Sequence, residues 1–157
     1  KVYLVNLNHP LEFIDSAVVK IDSLSFSGKV FFSNSYSGTY LIKVQHRNSI
    51  ETWSDTEEIV FTGNNYITYD FTTDSSKALG SNMIKIGNRW CLYSGDINQD
   101  GLINNVDLEI LYNDMNSNTN FGYYMISDLN ADGIVDADDS VICYNNMRRG
   151  IIKVVPF

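Results

Sequence analysis

The chain has 157 residues, 44% of them hydrophobic, and a formal net charge of −8. That length suits one or two small domains with a real core. No apolar run approaches the ~18 residues of a membrane-spanning helix, and so acidic a surface argues against nucleic acid as a partner. Ten Tyr and many Ser, Thr and Asn point to β structure and an extracellular surface.

In chain order, Lys1–Leu7 and Glu12–Ile21 read as strands, with Val2 and Leu4 on one face of the first. Ser27–Phe32 and Gly38–Val44 read as two more, around the turn Asn34–Ser37. Glu57–Thr62 and Tyr66–Thr72 follow, joined by Gly63-Asn64-Asn65, and Ser75–Leu79 suits one helical turn before Gly80. Met83–Tyr93 closes this half as a strand carrying Ile84, Ile86, Trp90 and Leu92. Short β-branched and aromatic runs between Gly/Asn/Ser turns predict a small all-β antiparallel sandwich over residues 1–92. No Pro/Ser-rich linker follows it.

The remaining residues, 93–157, change character. Residues 1–90 hold 8 Lys/Arg against 9 Asp/Glu, whereas residues 91–157 hold 3 against 10. Such an acidic half repels itself unless cations neutralise it. Its acids are not scattered. Asp96, Asn98, Asp100, Asn104 and Asp107 stand at positions 1, 3, 5, 9 and 12 of a loop with Gly101 at position 6. An offset of 32 residues carries them onto Asp128, Asn130, Asp132, Asp136, Asp139 and Gly133. This is calcium-loop spacing: a hard cation without directional bonding takes about six to eight oxygens from a short stretch. Alternation at 1, 3 and 5 brings three side chains inward, and glycine permits the sharp turn. The Leu102 and Ile134 carbonyls complete each expected set at position 7. Two calcium ions are therefore expected. A single such stretch is usually a solvated turn, but the repeat also superposes Tyr112 on Tyr144, Asn113 on Asn145 and Met115 on Met147.

Each loop leads into a helix. Val106–Met115 carries Val106, Leu108, Ile110, Leu111 and Met115, and Asp138–Met147 turns Val141, Ile142 and Cys143 inward. Asn116–Gly122 is a polar connection, and Ile151–Phe157 reads extended, suited to pairing near Trp90 and Tyr93. Cys91 and Cys143 suit either a buried thiol at 143 or a disulfide between them. Trp90 is expected in the core and Trp53 at an edge or interface.

Position 12 is Asp where the usual EF-hand has Glu, and Arg89–Ser94 before the first loop reads as extended chain rather than helix. Paired loop–helix units opening on Gly95-Asp96-Ile97-Asn98-Gln99-Asp100-Gly101 resemble the dockerin domain, type I-like, of secreted bacterial proteins. The resemblance covers about residues 93–151. It implies a small α domain after the β-sandwich, structural calcium, a secreted or cell-surface location, and a cohesin-type protein partner. At loop positions 10 and 11, which contribute to partner choice in dockerins, this chain has Asn105 and Val106, then Ala137 and Asp138. Gly28–Phe32 and Gly38–Val44 resemble the paired-strand signature of prealbumin-like, carboxypeptidase regulatory-like accessory modules, with that module's first strand expected to be missing from these residues.

No catalytic set stands out. His9 and His46 have no metal-ligand spacing, and no nucleophile elbow or phosphate-cradling loop is present. Carboxylates spaced by glycine and held by a cation are poor general acids. The expectation is a non-catalytic attachment module at the C-terminal end of a larger exported protein. The alternatives are a module that calcium merely rigidifies, or a carbohydrate-binding accessory using Trp53 or exposed Tyr residues.

Overall fold

The computed structural model describes residues 1–6, 12–33, 37–56, 59–62, 67–117, 121 and 125–156. His9 and the turns 34–36 and 63–66 lie outside them, as does most of the 118–124 connection. The described chain forms two antiparallel sheets and two α-helices. It divides into two compact units, and no described helix is long and apolar enough to cross a membrane.

The first unit takes 1–45, 52–90 and 154–157. Strands β1 (Val2–Asn6), β2 (Phe13–Ala17) and β3 (Gly38–Val44) lie in the order β2-β1-β3. β4 (Thr52–Trp53) and β5 (Ile59–Phe61) share the far edge of β3, β4 along Lys43–Val44 and β5 along Gly38–Tyr40. Burial does not alternate along these strands: consecutive pairs, Leu4 and Val5 of β1 and Tyr40 and Leu41 of β3, are buried, so both faces are covered there. A bulge shifts the β1–β2 register after Leu4, so that Val5 faces Phe13. Val5, Leu41 and Trp53 form the core of this unit, with Tyr3 and Leu79 packed on it. The Lys43 ammonium sits 4.8, 5.1 and 5.6 Å from the ring centres of Tyr3, Phe13 and Trp53. β6 (Ile84–Ile86) and β7 (Arg89–Cys91) make a separate hairpin.

Several sequence expectations change here. Ser27–Phe32 is not a strand. The Asp22 side chain accepts from the Leu24 and Ser25 amides, and Phe26 closes the turn at φ 54°. Local polar bonds displace the ladder, and Phe31 stays 84% exposed. Of the prealbumin-like signature, only its second segment is a strand. Residues 67–72 are not a strand either, because the Asp70 carboxylate accepts from both the amide and the hydroxyl of Thr72. Met83–Tyr93 is broken at Gly87, whose φ of 59° turns the chain back. The expected helical turn is a pair of 3-10 turns, Ser75–Lys77 and Leu79–Ser81. Trp53 is the core residue, 3% exposed, while Trp90 is only half-buried with Lys85 over its ring.

The second unit takes 46–51 and 91–153. Helices α1 (Asn105–Met115) and α2 (Ala137–Arg148) pack on each other. Their core is Ile50, Ile97, Ile103, Leu111, Leu129, Val135 and Cys143. Three pairs in it obey the repeat: Ile97 with Leu129, Ile103 with Val135, and Leu111 with Cys143. Loop positions 2 and 8 thus anchor each turn in apolar contacts. Val141, expected inward, is 56% exposed, and Val106 at the start of the first helix is 50% exposed. Both cysteines are free thiols, so the disulfide alternative is set aside. The extended tail is bonded to the first loop, where Ile103 N–H donates to Ile151 O and Lys153 N–H to Gly101 O, and Ile151 packs on the same core cluster as Tyr93.

Candidate metal centre

Both acidic loops adopt one backbone course. Position 4 is left-handed in each, Gln99 at φ 59° and Ala131 at φ 63°. Position 6 follows at φ 89° in Gly101 and 91° in Gly133. A non-glycine residue in that region is uncommon, so its recurrence at the same position marks a shared design.

The hydrogen bonds repeat as well. Asp96 Oδ2 accepts Gly101 N–H at 3.2 Å, and Asp128 Oδ2 accepts Gly133 N–H at 3.1 Å. Asn98 Oδ1 accepts Asp100 N–H, and Asp100 Oδ1 accepts Leu102 N–H. Asn130, Asp132 and Ile134 do the same. Asp107 gathers the amides of Ile97, Asn98 and Asn104, and Asp139 those of Leu129, Asn130 and Asp136. The side chains of Asn104 and Asp136 accept from Val106 N–H and Asp138 N–H, forming capping boxes with Asp107 and Asp139. Loop and helix start are one structure: positions 9 and 12 close the loop and cap the helix.

Burial divides each site into floor and rim. Asp96, Asp107, Asp128 and Asp139 are 0–3% exposed. Asn98, Asp100, Asn130 and Asp132 are exposed, and Asn104 and Asp136 half-buried. Leu102 and Ile134 sit in isolated bridges, to Ile152 and Phe121 respectively. Burial, with the neighbouring carboxylates of Asp107 and Asp100, pushes the Asp96 carboxyl up to about 6, against the Gly101 amide.

Does this donor set fit a cation? Asp128 Oδ1 is buried and has no hydrogen-bond partner among the described residues. A buried carboxylate oxygen without a partner is costly, and a hard cation is the partner an all-oxygen loop suits. Against that, among the described residues no three His, Cys, Asp or Glu side chains converge as a metal-ligand set. The reason is visible in the bonds: Asp107 and Asp139 turn their oxygens to backbone amides, and positions 3 and 5 bond each other. The expected residues are brought together by loop, but as hydrogen-bonded turns.

Residues 46–51, which the sequence did not single out, belong to this unit. Arg47 Nη2 and Asn48 Nδ2 both donate to Asp128 O, at 3.1 and 2.9 Å. Asn48 O accepts Gly95 N–H, and Ile50 N–H donates to Tyr93 O. No local pattern announces bonds that span about eighty residues. The apolar pairs at positions 2 and 8 were not singled out either, although the 32-residue offset would have found them. No protein-family model matches the chain, and no curated protein or solved structure matches it.

Proposed function

We propose that residues 93–157 are a dockerin-like module that binds two structural calcium ions and attaches an exported protein to a cohesin-type partner. The region before them is read as a β-sandwich accessory module. The observation that carries this reading is the unpartnered, buried Asp128 Oδ1 in a loop whose hydrogen bonds recur 32 residues earlier. In each loop positions 1, 3, 5, 9 and 12 would hold the ion through side chains, and Leu102 and Ile134 through carbonyls.

A bound calcium ion supplies positive charge and a closed shell of oxygen contacts. The rest is done by the chain. Asp107 and Asp139 tie the end of each loop to its beginning and to the helix that follows. A loop held so starts its helix in a fixed direction, and the helix surface becomes presentable. Matched apolar groups stay exposed: Leu102 and Ile134 in the loops at 44% and 47%, Tyr112 and Tyr144 on the helices at 44% and 45%. Two similar faces suit attachment better than catalysis.

Titration of the full chain by calorimetry should show two sites, and Asp96→Ala or Asp128→Ala should each remove one. Two sites before and two after substitution would refute the assignment. Retention on immobilised cohesins only when calcium is present supports attachment. Two bound ions without retention would leave a rigidified structural module. Trp53, with 3% of its surface exposed, offers no ring face to a sugar, so the carbohydrate reading now rests on exposed tyrosines and a glycan array.

A further inference from the structure

Among the side-chain bonds made within the loops, position 4 is a clear point of difference. Position 4 is Gln99 in the first and Ala131 in the second. The Gln99 amide donates to the carbonyl of its own position 1, Asp96, at 2.6 Å. Ala131 has no donor to offer Asp128. The Asp128 carbonyl receives two donors all the same, Arg47 Nη2 and Asn48 Nδ2. Asn48 is 2% exposed. Its own carbonyl holds Gly95 N–H at 2.7 Å, one residue before the first loop. Ser49 O meanwhile accepts from Gln99 Nε2 at 3.3 Å.

We propose that Arg47 and Asn48 are positioning residues of the second calcium loop, standing in for the glutamine that this loop lacks. The inference rests on the calcium reading above. Position 1 is the first ligand of such a loop, and its peptide plane sets where its carboxylate points. Pinning the carbonyl from the far side fixes that plane, so less freedom is lost when the ion arrives. Outer partners of ligand groups commonly change metal affinity by roughly 10- to 100-fold when removed. Because Asn48 touches the start of both loops, it also sets their relative placement within the unit. The second loop is thereby incomplete without chain from between β3 and β4.

The test uses the full chain with one loop disabled at a time. Asp96→Ala leaves the second loop, and Asp128→Ala leaves the first. Calorimetric calcium titration should find Asn48→Ala about tenfold weaker in the Asp96→Ala background. In the Asp128→Ala background it should change affinity by less than about threefold. Adding Ala131→Gln should restore most of the loss, since Gln99 already serves from the same left-handed conformation. A readout apart from binding is amide exchange in chelator. Asn48→Ala should speed exchange at Gly133 N–H and leave Gly101 N–H unchanged. Equal weakening in both backgrounds, or none in the first, would overturn the proposal while the calcium reading stands. If the parent chain takes up no calcium at all, both fall together.

Discussion

Oδ1 of Asp107 accepts the amide hydrogen of Ile97 at 2.8 Å. The residue that closes the first loop is therefore bonded to the second residue of that loop, across ten positions of chain. Asp139 repeats the bond with Leu129 at 2.7 Å. In both copies the apolar partner, Ile97 or Leu129, is itself a core residue. A polar clasp and an apolar anchor thus meet at one peptide.

This clasp gives the first prediction. Asp107→Ala removes the acceptor for three amides, two of them shared on Oδ1. Buried donors left unpaired cost about 1–3 kcal/mol each, and part of that is recovered by water entering the gap. The loss should be roughly 3 kcal/mol in chelator, where no ion can be responsible. Urea unfolding followed by far-ultraviolet dichroism measures it. A change within about 0.5 kcal/mol would mean that the clasp is idle.

Calcium should act on one unit selectively. Both α-helices lie in the second unit and both tryptophans in the first. Helical dichroism and tryptophan fluorescence therefore report the two separately. At a free concentration a hundredfold above Kd, each site adds about 2.7 kcal/mol. Chelation should lower the helical transition by roughly 20 °C or more and leave the fluorescence transition in place. Equal shifts in both signals would contradict an ion site confined to the second unit.

The loops and helices were legible because their information is local. Asn and Asp at fixed spacing bond the nearest amides, and glycine supplies φ 89° and 91° where the turn demands it. Even the helix starts moved by only one residue, from Val106 to Asn105 and from Asp138 to Ala137, since the capping boxes are written in the loop. What failed depended on a competing turn just outside the segment or on distant neighbours. Ser27–Phe32 has the composition of a strand, but Asp22 captures the preceding turn. Trp53 and Trp90 exchanged roles because burial of an aromatic is decided by what packs over it, here Val5 and Leu41. Asn48 is a polar residue in a turn, and nothing beside it in sequence shows that it meets Asp128.

Protons should compete with calcium at the first loop. Burial and the adjacent acids raise Asp96 to about 6, above its ordinary 3.8. In the calcium-free chain the folded form holds this proton more tightly than the unfolded form does. That contribution to stability is full below pH about 4 and is lost as pH rises through about 6. Calcium needs the ionised group, so the sign reverses for binding. One pH unit below 6 the group is about nine-tenths protonated, and affinity at that loop should fall roughly tenfold relative to neutral pH. Titration of the Asp128→Ala chain, which keeps the first loop, at pH about 5 and about 7 reads this directly. An affinity that does not move between them would show that Asp96 ionises as an ordinary surface acid.

The thiols should differ sharply in reactivity. Cys143 is fully buried in the helical core, and its Sγ lies 3.9 Å from Gly95 O. Burial, and then the nearby Asp107 charge, push it up to about 12. The thiolate is the reacting species, so a thiol this high and this enclosed is nearly inert at neutral pH. Cys91 is half-buried at the end of β7 and stands outside that core. A chromogenic disulfide reagent should therefore titrate one thiol per native chain within minutes, and the second only on unfolding. Because Cys143 occupies the place of Leu111 in the repeat, Cys143→Leu tests whether the site is simply apolar. It should fold, with two extra heavy atoms of overpacking costing about 1–3 kcal/mol and lowering the melting temperature by roughly 5–20 °C. Two rapidly reacting thiols in the native chain would place Cys143 outside the core and dissolve the symmetry that pairs it with Leu111.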